Sequence, residues 1–380
     1  MITRASLNRI RLFYAAYFAA MGLVLPFFPV FLDGLGLDVA MIGVMTGLLA
    51  AAKVVAPPWI GHVLDRQADS LVQRFIIIAS LLAAVAALLM AVPLNLYVLA
   101  AVIFLFGILW AVILPLTDGI SVSVSEAALA DYGRLRAWGS AGFIIASLAG
   151  GAWLADQHIS VFPMVLAALM LVTAFAAQGF PGPESCATQD QDSASRFSSM
   201  FYQLLGLACL MQVSHGAYYG FFSLYLAEAG YTGWQIGVYW VIGVAAEIVL
   251  MWRYSRLLQQ AVPALVFTVC MSLAALRWLG TGLTTDPWLL VALQLLHAAS
   301  FAAFHVAAIA WVKRLAPANR QAAAQGWYSA AGFGLGSTVG IMGCGLIAAV
   351  WGYSVAFYVC AAVALLAMPL AVSMSVRRGL

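Results

Sequence analysis

Charged residues are scarce in this chain of 380 residues, because 17 Lys and Arg and 14 Asp and Glu make up only 8% of it. A soluble domain usually carries about 25% charged residues. The chain is 65% hydrophobic, with a mean hydropathy of +1.01, so a water-soluble fold is excluded. A net charge of +3 also lacks the concentrated basic surface that nucleic-acid binding needs. We therefore expect the chain to lie in a lipid bilayer, with no nucleic-acid partner.

Cysteine is sparse as well. The five cysteines are odd in number, far apart and mostly inside apolar runs, which favours neither a disulfide framework nor a zinc site. His297 and His305 are eight residues apart, whereas a helical pair of metal ligands is four apart. We expect no bound metal and interpret the cysteines as small buried hydrophobes.

Long apolar runs dominate the rest of the sequence. A helix needs about 20 mainly apolar residues to cross a membrane. Twelve such runs lie at about 10–32, 41–61, 74–92, 97–122, 136–155, 161–179, 201–227, 235–252, 262–283, 288–311, 323–350 and 355–376. The predicted fold is an all-α membrane protein with twelve transmembrane helices in two pseudo-symmetric six-helix bundles.

The basic residues predict the orientation of these helices. All 17 Lys and Arg except Lys53 and Arg277 fall on the face that carries both termini, and the loops of the opposite face contain acidic residues but no Lys or Arg. Cytoplasmic loops carry the positive excess in membrane proteins. The sequence therefore predicts a multi-pass protein of a bacterial-type inner (plasma) membrane with both termini in the cytoplasm.

A polar linker divides the predicted helices. Residues 180–200 are rich in Pro, Gly, Ser and acidic residues, which is typical of a flexible connection. We expect this linker to be cytoplasmic and to join an N-terminal six-helix bundle, residues 1–179, to a C-terminal six-helix bundle, residues 201–380.

The two halves resemble each other. A shift of 194 residues aligns Gly22 with Gly216 and Lys53 with Glu247, and a shift of 190 aligns Gly150 with Gly340. Parallel internal repeats of this kind are typical of transporter folds. We expect a base and an acid at equivalent depths of facing helices. Glycines of the fifth and eleventh helices are expected to allow close helix packing, static or sliding.

Ionisable residues inside the predicted helices are costly in lipid and therefore mark candidate functional sites. The set comprises Lys53, Asp118, Arg136, Glu247, Arg277, His215, His297 and His305. At a rise of about 1.5 Å per residue, Glu247, Arg277, His215 and His297 come near the midplane and are predicted to meet in one cavity. Asp118 and Arg136 are 18 residues apart across a hairpin and are predicted to pair. For each group, the alternative is a structural ion pair that fixes helix packing.

The sequence allows two interpretations for His215 and two for the aromatic residues near it. His215 either contacts a substrate or hydrogen-bonds to a neighbouring helix. The aromatic side chains near it either line a cavity for a ring-bearing substrate or only pack, namely Tyr218, Tyr219, Phe221, Phe222, Tyr239 and Trp240.

Several motifs point to one family. Twelve helices in two parallel halves and the sequence Gly61-x-x-x-Asp65-Arg66 between the second and third helices resemble the major facilitator superfamily, in which this loop is a gating motif. A closer resemblance, to the 3-phenylpropionate transporter group, lies in PLTDG at 115–119, DYGRLRAWGSAGF at 131–143, HGAYYGF at 215–221, GVAAE at 243–247, LRW at 276–278 and QLLHAASFAAFH at 294–305.

A more distant resemblance is to lactose permease-type sugar/proton symporters. It implies that Asp118 and Arg136 hold substrate and that Glu247, Arg277 and His297 form a proton-coupling network. An acid expected three residues after the histidine is Ser300 in this chain.

Together these features predict a proton-coupled importer that works by alternating access. Lys53, Arg136 and Arg277 carry three positive charges against two negative charges on Asp118 and Glu247, which favours a carboxylate substrate. Lys53 would pair with Glu247 or hold that carboxylate, and His215, Tyr218 and Tyr219 would surround an aromatic ring.

The expected partners are a small-molecule substrate, protons and the bilayer, and the protein is expected to act as a monomer without a cofactor, driven by the proton gradient. The main alternative is a proton-coupled sugar or nucleoside symporter. A membrane sensor without transport activity and an intramembrane enzyme are remote alternatives, since no nucleophile–base pair has recognisable spacing.

Overall fold

The computed structural model describes residues 4–64, 69–127, 132–155, 158–180, 196–317 and 320–374. These residues form helices joined by short turns, and no β-strand occurs among them. The α-helices are α1 (Arg4–Gly34), α2 (Val39–Leu64), α3 (Asp69–Leu89), α4 (Leu96–Ala127), α5 (Tyr132–Ala149), α6 (Phe162–Ala177), α7 (Ser199–Ser214), α8 (Gly216–Glu228), α9 (Gly233–Gln260), α10 (Pro263–Leu283), α11 (Pro287–Leu295), α12 (Phe304–Leu315), α13 (Gln321–Ser329), α14 (Ser337–Trp351), α15 (Tyr353–Leu366) and α16 (Met368–Ser373). Wider π-helical turns follow α5, α11 and α13, at Gly150–Ala155, Ala298–Ala303 and Ala330–Gly336, and a 3₁₀ turn, Ile159–Val161, precedes α6.

Eleven helical segments in the described part of the chain are long and apolar enough to cross a membrane. This confirms the predicted all-helical, multi-pass membrane fold. Of the twelve predicted runs, 201–227 is the one without a matching span in the described part of the chain, because it breaks at His215 into the shorter helices α7 and α8.

The break coincides with two local hydrogen bonds and with one close contact to a distant segment. The backbone N–H of His215 bonds to the carbonyl of Gln212, three residues back, and the Ser214 hydroxyl donates to the Met211 carbonyl over 2.6 Å. Both bonds compete with the regular helical ladder. Gly216 follows, and a Cβ atom at Gly216 would collide with the backbone of Gly340.

Acidic residues in the short turns serve as helix caps. The Asp38 carboxylate accepts the backbone N–H of Met41 at the start of α2, and the Asp286 carboxylate accepts those of Trp288 and Leu289 at the start of α11. These bonds satisfy amide groups that have no partner in the first turn of a helix. The acidic residues that the sequence places in these loops therefore have a structural role.

The backbone packs into two compact units, each built from several stretches of the chain. The first unit consists of Met1–Leu35, Ala51–Thr188 and Thr232–Gly237, and the second of Gly36–Ala50, Gln189–Tyr231 and Val238–Leu380.

Glycine allows close helix contact in both units. In the first, a Cβ atom at Gly22 of α1 would lie 2.5 Å from the Phe143 carbonyl oxygen of α5. In the second, a Cβ atom at Gly340 of α14 would lie 2.6 Å from the Val213 carbonyl oxygen of α7. The internal sequence repeat relates the pair α1 and α5 to the pair α7 and α14. In each pair, the two backbones are in close contact.

Candidate functional site

A polar cluster lies inside the first unit around Asp118 of α4. Its Oδ1 atom accepts hydrogen bonds from the hydroxyls of Tyr14, at 2.7 Å, and Tyr132, at 3.0 Å. Arg136 of α5 donates from Nη1 to both carboxylate oxygens at 3.2 Å. The pairing of Asp118 with Arg136 that the hairpin spacing predicts is therefore present. We call these four residues the Asp118 cluster.

This cluster is open to a ligand. The side chains of Asp118 and Arg136 are 30% and 41% exposed, although both lie within apolar helices. Oδ2 of Asp118 accepts only from Arg136 among the described groups, and a carboxylate oxygen can accept about two hydrogen bonds. The cluster can therefore accept a further hydroxyl or N–H group.

Lys53 of α2 also belongs to the first unit, and its side chain is half-buried. Within the part of the chain that the structure describes, it forms no ion pair and no hydrogen bond. An ammonium group in an apolar helix is costly without a counter-charge. Lys53 can thus accept an anionic group.

A second and more deeply buried network lies in the second unit. Glu247 of α9 contacts His297 through Oε1 and Nε2, at 2.6 Å, and Nη1 of Arg277 lies 2.7 Å from Nδ1 of His297. Arg277, on α10, also donates to Gln294 at 2.8 Å and to Ser300 at 3.3 Å. Their relative exposure is at most 9%. These five residues are called the Glu247 network, and three of them are the predicted proton-coupling residues.

The protonation of His297 follows from its neighbours. A guanidinium group can only donate hydrogen bonds, so Nδ1 of His297 accepts from Arg277. A neutral imidazole then carries its proton on Nε2 and donates it to Glu247. The neutral ring therefore links Arg277 to Glu247, and the network as a whole is neutral when Glu247 is ionised.

The backbone beyond α11 helps to position this network. The π-helical turn Ala298–Ala303 begins directly after His297 and contains Ser300. Such turns often occur at functional sites. The resemblance to lactose permease-type symporters implies a second acid at position 300. Ser300 stands there instead and offers Arg277 a neutral hydroxyl acceptor.

Aromatic rings enclose the cation of the network. The Arg277 guanidinium lies 4.4 Å from the ring centre of Tyr218 and 4.3 Å from that of Trp278. Tyr218 in turn packs 4.5 Å from Trp240 and is 1% exposed, whereas Tyr219 is half-buried. Tyr218 is therefore part of the packing around Arg277, and Tyr219 is the more accessible of the two.

His215 lies beside the network at the break between α7 and α8. Its Nδ1 atom lies 2.8 Å from the Met211 carbonyl and so carries a proton. Its ring centre lies 6.2 Å from that of His297 and 4.9 Å from that of Trp278. Among the described residues, its Nε2 atom has no hydrogen-bond partner.

Other predicted residues lie elsewhere. His305 contacts the Tyr328 hydroxyl at 3.0 Å. The Tyr239 hydroxyl donates to the Pro287 carbonyl. The predicted gating residues lie outside what the structure describes, since Asp65 and Arg66 are not covered and only the backbone of Gly61 is.

Sequence reasoning missed three participants. Tyr14 reaches Asp118 from a helix 104 residues away, so only the tertiary structure reveals its contact. Tyr132 carried a usable signal, because it lies one helical turn before Arg136 on α5. Gln294 carried a usable signal, because it is a polar residue in an apolar run and precedes His297 by three positions, on the same helical face.

Comparisons with known proteins agree with this architecture. The sequence model of the MFS_1 like family matches residues 7–362. An Escherichia coli (strain K12) protein named "Probable 3-phenylpropionic acid transporter" is 29% identical over 367 residues, covering 93% of this chain and 94% of that protein. The maltose permease of Geobacillus stearothermophilus is 28% identical over 342 residues, covering 86% and 84%.

A solved structure supports the fold. The crystal structure of the nucleoside transporter NupG, as its D323A mutant, superimposes with a TM-score of 0.85 at 17% identity, covering 97% of this chain and 99% of that one. At this identity the likeness concerns the fold.

Proposed function

Because the chain belongs to the MFS_1 like family and is a major facilitator transporter, we propose that it imports a small aromatic carboxylate together with protons. The proposed substrate resembles 3-phenylpropionate. Transport proceeds by alternating access, with the halves 1–179 and 201–380 rocking about a midplane site and joined by the linker 180–200. The protein lies in the inner membrane as a monomer with cytoplasmic termini. The proton gradient drives transport, without a cofactor.

The unpaired charge of Lys53 is the observation that favours a carboxylate substrate. Asp118 is neutralised by Arg136, and Glu247 is linked to Arg277 through His297. Lys53 has no acidic partner within the described residues. One substrate carboxylate would neutralise this remaining charge, which agrees with the aromatic acid in the name of the Escherichia coli relative.

The Glu247 network supplies a physical basis for proton coupling. When Glu247 takes up a proton, its negative charge disappears and the positive charge of Arg277 loses its balance. A buried unbalanced cation is unfavourable, so binding of a substrate anion becomes more favourable. Proton and substrate therefore bind cooperatively.

Uptake of labelled 3-phenylpropionate into proteoliposomes, with and without an inward proton gradient, tests this proposal. Gradient-dependent accumulation is the expected result. Lys53→Gln should raise KM at least tenfold or abolish uptake. The matched control is Lys313→Gln, since Lys313 is the other lysine of the chain and is exposed. Equal uptake by the two variants would remove Lys53 from the site.

A neutral sugar is the second candidate, and Oδ2 of Asp118 favours it because this atom can accept a substrate hydroxyl. The maltose permease among the relatives is consistent with this alternative. A competition panel of aromatic acids, sugars and nucleosides separates the two. Inhibition by maltose but not by carboxylates, lost in Asp118→Asn, would support the sugar and contradict the aromatic acid.

A further inference from the structure

A groove of about 410 Å³ runs along the first unit between α1, α5 and α6. Small residues make up much of its lining, including Ala16 and Ala19 of α1 and Ala149 of α5. Larger side chains, including Ile145 and Trp153, complete it. Every residue that lines the groove is apolar, so a polar occupant would lose its hydrogen bonds with water without replacement. The groove is suited to a hydrocarbon chain.

The length of the groove fits one leaflet of a bilayer. On α1 its lining extends from Leu12 to Leu23, eleven residues further along, which is about 16 Å at a rise of about 1.5 Å per residue. The hydrocarbon core of a bilayer is about 30 Å thick. Ile145 and Trp153 are 67% and 52% exposed. In a multi-pass membrane protein such surface apolar side chains contact lipid.

One end of the groove carries a fixed positive charge. Arg9 lies one helical turn before Leu12, and Phe175 lies one turn after Val172, the last groove residue of α6. The Arg9 guanidinium lies 3.9 Å from the Phe175 ring centre and donates from Nη1 to the Phe175 carbonyl at 3.0 Å. In the chain segments that the structure covers, no carboxylate pairs with Arg9.

This arrangement leaves donors for a ligand. A guanidinium has five N–H groups, and Arg9 uses one of them on the carbonyl. Arginine binds phosphate oxygens with two parallel hydrogen bonds. The positive charge of Arg9 suits the phosphate of a phospholipid, and the apolar groove, about one leaflet long, suits one of its acyl chains.

We propose that this groove binds one acyl chain of an anionic phospholipid, whose phosphate is held by Arg9. The groove belongs to the first unit alone and requires only that the protein lies in a membrane. The proposal therefore stands or falls separately from the identity of the transported substrate.

Native mass spectrometry of the purified protein, titrated with dioleoyl phosphatidylglycerol or dioleoyl phosphatidylcholine, tests the proposal. We expect one tightly bound phosphatidylglycerol. Arg9→Gln should weaken its binding about fivefold, the effect of about one basic residue near an anionic membrane surface, and leave phosphatidylcholine binding unchanged. The matched control is Arg253→Gln, because Arg253 is an exposed arginine near an aromatic ring in the other unit.

A second variant probes the acyl chain. Ala19→Phe places a large ring in the groove and should weaken binding of both lipids. If Ala19→Phe fails to fold, Arg9→Gln still decides, because Arg9 is only half-buried and lies at the end of the groove. Lipid binding that both variants leave unchanged would overturn the proposal. So would a dimer peak that Ala19→Phe removes, because the groove would then be an interface between copies of the chain.

Discussion

His297 donates its Nε2 proton to Oε1 of Glu247 over 2.6 Å while its other ring nitrogen accepts from Arg277. A neutral imidazole therefore separates a buried acid from a buried base. This relationship links the charge state of Glu247 to the position and hydrogen bonding of Arg277, and the consequences of changing either residue can be stated separately.

Glu247→Gln should abolish proton-driven accumulation and spare substrate exchange. Glutamine keeps an oxygen that accepts from His297, so packing is retained, and its neutral amide resembles the protonated acid. Accumulation and counterflow in proteoliposomes measure the two activities. Glu228→Gln, at an exposed position at the end of α8, is the matched control. Accumulation at the wild-type level in Glu247→Gln would exclude Glu247 as the coupling residue.

Arg277→Gln should lower the stability of the protein strongly. Arg277 is 1% exposed, forms hydrogen bonds with three side chains and packs against the rings of Tyr218 and Trp278. Breaking a buried ion pair by removing one partner costs about 3–5 kcal/mol, because the remaining charge is unpaired. The double variant Arg277→Gln with Glu247→Gln removes both charges and should recover part of the loss. Thermal unfolding in detergent compares the two, and equal Tm values would show that no such coupling exists.

The sequence predicted the features that depend on a single helix or on one hairpin. Eleven of the twelve predicted apolar runs match membrane-spanning helices in the described part of the chain, because apolar length determines whether a helix can cross lipid. The pairing of Asp118 with Arg136 was predictable because a short hairpin joins their helices.

Other features depend on contacts between distant segments. The break at His215 arises where Gly216 meets Gly340, 124 residues further along the chain. Tyr14 reaches Asp118 across 104 residues. Apolar periodicity contains no information about such contacts, so the sequence could not supply them.

Gly345→Ala should destabilise the protein, whereas Gly343→Ala, two residues earlier on α14, should not. A Cβ atom at Gly345 would lie 2.9 Å from the Cα atom of Gly43, within the second unit, and backbone cannot move aside cheaply. Overpacking of this kind costs about 1–3 kcal/mol. Nothing lies within 4 Å of a Cβ atom at Gly343, and alanine favours a helix over glycine by about 0.5–1 kcal/mol.

Unfolding temperatures of both glycine variants in the same detergent provide the measurement. The expected order of Tm is Gly343→Ala at or above wild type, with Gly345→Ala below it. Equal values for the two variants would mean that α14 does not approach Gly43 as closely as the structure has it.

Cys344 and Cys360 should form a disulfide when a membrane-permeant oxidant is added. The sequence indicates separate buried cysteines, but the structure places the two Sγ atoms, on α14 and α15, 3.5 Å apart. A disulfide needs about 2.05 Å, so the two sulfur atoms have to approach each other by about 1.5 Å. Diamide would take one hydrogen atom from each thiol and be reduced to the hydrazine as the S–S bond forms.

Counting reactive thiols after denaturation measures this reaction. The chain has five cysteines, so a maleimide-polyethylene glycol should label five positions before oxidation and two fewer after it. Cys344→Ser should give four labels under both conditions, while Cys209→Ser should still lose two, because Cys209 lies outside the pair. Five labels after oxidation of the wild type would contradict the packing of α14 on α15. A loss of two labels would show that these helices lie together as described, and transport by the oxidised protein would then reveal whether α14 and α15 must move apart during the cycle.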